Sequence, residues 1–158
     1  MPVIKIETII NAPLEIVFDL SRSIDLHKIS AEKTKEEAIS GKTSGLINIG
    51  ETVTWKAKHF GVYQKLTVKI TEFDFPNYFS DEMVEGIFSS FTHKHEFKNI
   101  NGNTLMTDYF NYKSPFGFLG RIIDEIFLKK YMENFLLDRN QVIKEFSETN
   151  KWKLVLKN

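Results

Sequence analysis

A long amphipathic helix pattern that follows a run of strand-like segments constrains the fold of this chain more than any other feature. From Gly117 to Phe146 apolar residues recur mostly at three- and four-residue steps, and charged residues fill the opposite face. When a sheet curls around one helix, the apolar stripe of the helix and the inner face of the sheet enclose a single space. Whether that space is filled or hollow decides what the protein does.

Period-two alternation of apolar and polar residues predicts the strands that precede this helix. The predicted strands are Val3–Ile10, Thr52–Phe60, Val62–Phe73, Tyr78–Val84, Ile87–Phe97 and Thr104–Tyr112, and two short helices are predicted over Pro13–Leu20 and Ser23–Ile29. Strands grouped along the sequence favour an antiparallel sheet over a parallel one. We therefore expect an α+β fold, in which a curved antiparallel sheet wraps around a long C-terminal helix and two short helices follow the first strand.

The segment from Ser30 to Gly50 differs from the rest of the chain. It contains the charged run 32–37 and three glycines, so it reads as a solvated loop with one irregular strand near Glu37–Ser40. Loops this long in compact domains often serve as lids or binding loops.

Composition excludes several classes of protein. The 158 residues suit one domain spanning 1–158, and the absence of cysteine excludes disulfide frameworks, thiolate metal sites and cysteine nucleophiles. The 21 basic and 21 acidic residues balance, and the lysines are scattered rather than arranged in a stripe suited to nucleic acid. Apolar runs are too short to span a bilayer, and the first residues have no signal-peptide core. We expect a soluble, cytoplasmic protein without stable membrane insertion.

Two histidines separated by one residue are the first candidates for chemistry. His93 and His95 point to the same face of a strand as Phe91, and Trp55 and His59 share a face of another strand. Imidazoles at this spacing can bind a metal ion or act in acid–base catalysis. They can also contact a ligand, or form a structural pair bonded to a carboxylate. These alternatives stay open at the sequence level.

Asp108 lies on an otherwise apolar strand face with Phe110 and Tyr112, so an inward orientation requires a partner for its carboxylate. A histidine on the neighbouring strand or Arg139 on the long helix can supply that partner. Asp81 shares a strand face with apolar residues and can join the histidines across a hairpin. Structural pairing, ligand contact and general-base catalysis by an Asp–His pair all remain possible roles.

The 14 phenylalanines indicate either a bulky core or an aromatic-lined pocket. The aromatic residues that can line such a pocket are Trp55, Phe60, Phe73, Phe75, Phe88, Phe91, Phe110, Phe116, Phe118 and Phe127. With the polar candidates and the helix aromatics, the predicted ligand-binding set is Trp55, His59, Asp81, Phe91, His93, His95, Asp108, Phe110, Tyr112, Phe116, Phe127, Tyr131, Phe135 and Arg139.

Several segments together resemble a known superfamily. They are Asn11-Ala12-Pro13-Leu14-Glu15-Ile16-Val17-Phe18-Asp19-Leu20, Phe79-Ser80-Asp81-Glu82, Gly86-Ile87-Phe88, His93-Lys94-His95-Glu96-Phe97, Thr107-Asp108, Tyr112-Lys113-Ser114-Pro115-Phe116-Gly117 and Phe135-Leu136-Leu137-Asp138-Arg139. In this order they resemble the START-like, or SRPBCC, helix-grip superfamily, which includes birch-pollen-allergen-like proteins, polyketide cyclases and lipid-transfer domains. The chain is most similar to the small bacterial ligand-binding SRPBCC proteins. The resemblance covers nearly the whole chain and implies a shared cavity rather than a shared reaction.

From the residues and this resemblance we expect the protein to bind or carry a small hydrophobic or amphipathic molecule, such as a lipid, isoprenoid or polyketide-like compound. We expect no cofactor, no metal ion and no nucleic-acid partner. One alternative is a cyclase- or dehydratase-like enzyme in which His93 or His95 acts with Asp108. Another is an interaction module with a filled core, like the co-chaperone branch of the superfamily. The sequence contains no nucleotide-binding loop, hydrolase elbow or zinc-protease motif.

Overall fold

The computed structural model describes residues 2–115, 117–123 and 127–156, with only the backbone for 120, 121 and 123. The strands are β1 (Val3–Ile10), β2 (Glu37–Gly41), β3 (Thr52–His59), β4 (Val62–Asp74), β5 (Tyr78–Glu85), β6 (Ser90–Ile100) and β7 (Asn103–Lys113). The helices are α1 (Leu14–Ser21), α2 (Ile24–Ser30), α3 (Gly117–Ile123), α4 (Lys129–Glu148) and α5 (Trp152–Val155), and a short 3-10 turn covers Glu32–Thr34.

The seven strands form one antiparallel sheet in the order β1-β7-β6-β5-β4-β3-β2. Strands β2 to β7 are therefore paired in sequence order, while β1 pairs with β7 and the two helices α1 and α2 connect β1 to the far edge. This confirms the predicted α+β helix-grip architecture, including the two short helices after the first strand. Strand bounds agree with the sequence prediction within three residues, because period-two alternation is strong on every half-buried strand.

Helix α4 covers the concave face of the sheet. It packs against β1 and against α1 and α2. Its buried positions include Leu136 and Ile143, and the polar residues Arg139 and Asn140 are buried beside them. The inner face of the sheet and this side of α4 therefore bound a common interior.

The predicted continuous helix from Gly117 to Phe146 is seen as α3 and α4, with residues 124–126 outside the described part of the chain. The expectation that its apolar stripe packs inward is wrong for α3, where Phe118 and Leu119 are 78% and 71% exposed. Ile122 is exposed as well. Periodicity is a local property of the helix, and it does not tell which turns the sheet covers.

One end of the interior is filled by aromatic side chains. Phe18 of α1 lies with its ring centroid 5.0 to 5.3 Å from those of four other phenylalanines, Phe73, Phe75, Phe79 and Phe97. Edge-on contacts of this kind are favourable between aromatic rings. Phe73 and Phe75, which were expected as possible cavity residues, thus belong to this aromatic plug.

Candidate functional site

Two adjoining cavities lie between the sheet and α4, beyond the aromatic plug. The larger has a volume of about 370 Å³ and the smaller about 140 Å³. Both walls contain Glu36, Trp55, Leu66, Phe88, Met132 and Phe135. These side chains therefore form a partition between two compartments of one interior.

The wall of the larger cavity is mainly apolar because β3 and β4 turn their alternate residues inward. Trp55 and Ala57 of β3 face it, and Leu66 comes from β4. Helix α4 contributes Met132 and Phe135 from the opposite side. Apolar walls with a few polar groups are typical of sites for small molecules.

An aromatic cluster lies at the end of the larger cavity where β3 turns into β4. The ring of Phe60 lies 4.6 Å from that of Tyr131 and 5.6 Å from that of Phe127. Tyr131 is also joined to β3, since its hydroxyl lies 2.6 Å from Nδ1 of His59. Phe60 and Phe127 are 56% and 57% exposed, so this cluster separates the cavity from solvent.

The smaller cavity is bordered by polar side chains of β5, β6 and α4. Asp81, His93, His95 and Arg139 contribute to its wall. The sheet register explains the grouping, because Asp81 of β5 lies opposite His93 of β6, and His95 lies opposite Asp108 of β7.

Asp108 is fully buried beneath these residues and accepts bonds from several directions. His93 Nε2 lies 2.9 Å and His95 Nδ1 3.0 Å from Oδ1, and Arg139 Nη1 lies 3.3 Å from the same oxygen. Asn140 donates its amide to Oδ2 at 2.7 Å. A histidine or Arg139 was expected as the partner of Asp108, and the structure places both histidines and Arg139 against it.

The pKa of Asp108 follows from these contacts. Burial alone would raise the pKa of this carboxyl, but the hydrogen bonds from His93 and His95 and the charge of Arg139 outweigh burial and hold the pKa well below its usual range. For His93, burial and the adjacent His95 lower the pKa from 6.5 to about 4. At neutral pH the network thus combines a carboxylate with a neutral His93 ring.

Asp81 extends the network toward the smaller cavity. Its Oδ2 lies 3.2 Å from Nε2 of His95. Burial opposes ionisation of Asp81, but the hydrogen bond from His95 and the electrostatic influence of His93, His95 and Arg139 outweigh it and lower the pKa of Asp81. His95 therefore lies between two carboxylates, one at each ring nitrogen.

This cluster can also be considered as a metal centre. Asp81, His93 and His95 each offer a ligand atom, and the three atoms lie within 4.8 Å of one another. However, Arg139 Nη2 lies 3.4 Å from His95 Nδ1, so a cation there would meet a fixed positive charge. Both ring nitrogens of His95 already face carboxylates, so neither nitrogen is left over for a metal ion. That the protein binds no metal ion stays a prediction.

Most of the predicted site residues come together around the two cavities. The wall of the larger one includes Trp55, His59, Phe127, Tyr131 and Phe135, and the wall of the smaller one includes Trp55, Asp81, Phe91, His93, His95, Phe110, Phe135 and Arg139. Asp108 lies behind the histidines and lines neither cavity. Tyr112 is fully buried between strands and packs on Phe88 and Phe110, so it belongs to the core. Phe116 lies outside the described residues.

Two functional candidates escaped the sequence analysis. For Asn140 the sequence contains a signal of burial, because this polar residue lies on the apolar stripe of α4 between Leu136 and Ile143. In the structure Asn140 is 1% exposed. Glu36 carries none, because it stands in a run of charged residues that reads as a solvated loop. Its side chain is nevertheless only 7% exposed and lies in the partition between the cavities.

No family profile and no curated protein matches the sequence. Among solved structures, the chain is similar to the protein TTHA0849 from Thermus thermophilus, with a TM-score of 0.75, 18% identity and coverage of 91% of this chain and 95% of that one. It is also similar to major latex-like protein 151 from Panax ginseng, with a TM-score of 0.69, 15% identity and coverage of 94% and 98%.

Similarity extends to Ara h 8.0201, with a TM-score of 0.61, 13% identity and coverage of 90% of this chain and 97% of that one. At these identities the comparison establishes the fold. The chain therefore has the helix-grip fold of the birch-pollen-allergen-like proteins, and the resemblance seen in the sequence is confirmed at that level. Among its described residues no helix is long and apolar enough to cross a membrane.

Proposed function

We propose that this protein binds a small, mainly apolar molecule in the larger cavity and carries it without covalent chemistry. The observation that supports this proposal is the cavity itself, about 370 Å³ bounded by aromatic and aliphatic side chains. This volume lies in the range of about 300 to 1,000 Å³ that is usual for sites of small ligands. Apolar surface buried on binding supplies affinity at about 25 cal/mol per Å² before the costs of association.

The adjoining smaller cavity extends the space available to the ligand. Its volume of about 140 Å³ is similar to the apolar cavities of roughly 150 Å³ that accept a benzene ring. An elongated molecule can therefore place its body in the larger compartment and a short end in the smaller one, after movement of the partition side chains. Met132 belongs to that partition and, as an unbranched residue, repacks at low cost.

The two alternatives receive less support. A filled-core interaction module would have no use for a compartment of this size. In the enzyme alternative His93 or His95 acts with Asp108 as an acid–base pair. Asp108 already accepts four close contacts, and the pKa values of Asp108 and His93 are both lowered, which makes each of them a weak base. We therefore treat the buried network as a brace for the cavity rather than as a reaction centre.

Filling the cavity tests the proposal. Ala57 is 4% exposed and lines the larger cavity, so Ala57→Phe is expected to occupy the ligand space. The neutral probe N-phenyl-1-naphthylamine should fluoresce on binding to the native protein, and the variant should weaken its binding at least about tenfold.

The neighbouring Lys58 provides the control, because it is exposed on the opposite face of the same strand. Lys58→Phe adds the same ring outside the cavity and should bind the probe as the native protein does. Equal binding by Ala57→Phe, with its circular dichroism spectrum unchanged, would show that the probe binds elsewhere and would contradict the proposal.

A further inference from the structure

Glu36 is the only acidic side chain in the wall of the larger cavity among the described residues. It precedes β2 and enters the partition between the two cavities, beside Trp55 and Met132. A carboxylate in an apolar wall is costly to bury unless it is hydrogen-bonded. Its position therefore calls for an explanation from its contacts.

Only one of the two oxygens of this carboxylate has a hydrogen-bond partner among the described residues. Oε1 lies 2.9 Å from Nε2 of His27, whose ring packs on Trp55 with a centroid separation of 4.2 Å. The other oxygen, Oε2, is buried and has no hydrogen-bond donor among the described residues. The His27 contact fixes the carboxylate and leaves one acceptor oxygen for a donor from outside the protein.

The charge of Glu36 extends along the larger cavity. Burial lowers the pKa of His59, and the charge of Glu36 offsets part of that effect. For Tyr131, burial raises the pKa and the same charge raises it further. The other charged residue of this wall, Lys65, is exposed, so water screens its charge. The interior of the larger cavity therefore favours positive charge over negative charge.

We infer that the polar end of the ligand is a hydrogen-bond donor, a protonated amine or a hydroxyl, that bonds to Oε2 of Glu36, and that carboxylate ligands are disfavoured. This inference rests on the proposed binding function and adds the chemistry of the ligand's polar end to it. An ammonium group donates the missing hydrogen bond to Oε2 and also neutralises the charge of Glu36, whereas a hydroxyl only donates the hydrogen bond. A carboxylate offers no donor and repels Glu36.

The more conspicuous polar cluster is a poorer recognition site. Asp108 accepts from His93, His95, Arg139 and Asn140 and lines neither cavity. Its bonds are complete within the protein. By contrast, Oε2 of Glu36 has no donor among the described residues, so a donor on the ligand can complete its hydrogen bonding.

Competition among three ligands with the same ten-carbon alkyl tail tests the inference. Decylamine, decan-1-ol and sodium decanoate differ only in the polar end and can each displace N-phenyl-1-naphthylamine from the protein at pH 7. We expect decylamine to bind at least about tenfold more tightly than decanoate, which corresponds to about 1.4 kcal/mol, with the alcohol between them. In Glu36→Gln the preference for the amine over the acid should fall to within about threefold.

Glu37→Gln is the matched control, because the adjacent Glu37 is exposed to solvent. It removes the same charge one residue away and should keep the native preference. If Glu36→Gln does not fold, the native series alone still decides, since equal binding of amine and acid overturns the inference. A preference that persists in folded Glu36→Gln also overturns it and points to Asp81 in the smaller cavity. If the neutral probe itself does not bind, the proposed function fails together with the inference.

Discussion

At the scale of single residues, Asp108 is the centre of the polar interior. Its carboxylate is 0% exposed and meets two histidines, an arginine and an asparagine. Removing one charge from a buried network leaves its partners uncompensated, which usually costs more than the pair contributes. The network thus stabilises the fold only as a complete set.

Asp108→Asn should therefore lower the free energy of unfolding by about 3 kcal/mol. Urea denaturation monitored by circular dichroism measures this change. The control is Asp138→Asn, whose side chain is 59% exposed and pairs with Lys33 at the surface, and which should change stability by less than about 0.5 kcal/mol. If Asp108→Asn is as stable as the native protein, the carboxylate is not the centre of a stabilising network.

His93 makes stability depend on pH. In the folded protein its pKa is about 4, whereas the unfolded chain protonates this ring near the ordinary value of 6.5. Between these values the unfolded chain binds more protons, so the free energy of unfolding falls as pH falls from about 6.5 toward about 4. From pH 7 to pH 5 we expect a loss of about 2 kcal/mol from this residue.

Urea denaturation of the native protein and of His93→Gln at pH 7 and pH 5 separates this effect from that of the carboxylates. The depressed pKa of Asp108 affects stability mainly below about pH 5, where the same carboxyl in the unfolded chain begins to take up a proton. The variant should be less stable at pH 7 but should lose less on acidification. If the native protein and His93→Gln lose the same free energy of unfolding between pH 7 and pH 5, then His93 is not held neutral in the folded protein.

At the scale of elements, the sequence predicted strands better than it predicted what the last helices cover. Alternation identified six of the strands, and the irregular strand near Glu37 is present as β2. The apolar stripe at the end of the chain predicted helix correctly in α3 and α4. The stripe predicted that both Leu119 and Ile143 face inward, and this is correct for Ile143 and wrong for Leu119. Helical periodicity carries no information about which turn meets the sheet.

This difference gives a prediction for matched apolar truncations. Ile143→Ala in α4 should lower the free energy of unfolding by about 3 kcal/mol, since its side chain is 2% exposed. Leu119→Ala in α3, where the side chain is 71% exposed, should change it by less than about 0.5 kcal/mol. Comparable losses from the two variants in urea denaturation would show that α3 packs as tightly as α4.

At the scale of the whole molecule, the interior is filled at one end and hollow at the other. The sequence predicts that phenylalanines point inward, but it does not divide them between plug and cavity. That division depends on where Phe18 of α1 inserts, since Phe73 and Phe75 pack against it while Phe91 and Phe110 line the smaller cavity. The contacts of Phe18 with Phe73 and Phe75 join parts of the chain that are distant in sequence, so no local sequence pattern predicts them.

The polar residues show the same limit. The alternation of β6 and β7 predicted that an inward Asp108 meets His93 or His95, because neighbouring strands bring inward positions together. The contact of Asp81 depends on the register across the hairpin between β5 and β6, which the sequence leaves open. Glu36 has no such parity, since it lies in the turn before the edge strand β2. Its burial results from the way this segment folds across the cavity, so a structure was needed to identify it.

Native mass spectrometry of the full chain, purified without detergent from the organism that produces it, tests the central claim most directly. We expect a fraction of the protein to carry one additional small molecule, which organic extraction releases as an apolar compound with an amine or hydroxyl group. Ala57→Phe prepared in the same way should carry less of it. Binding of a small apolar molecule would be contradicted if the native protein always has the mass of the bare chain and also takes up no N-phenyl-1-naphthylamine.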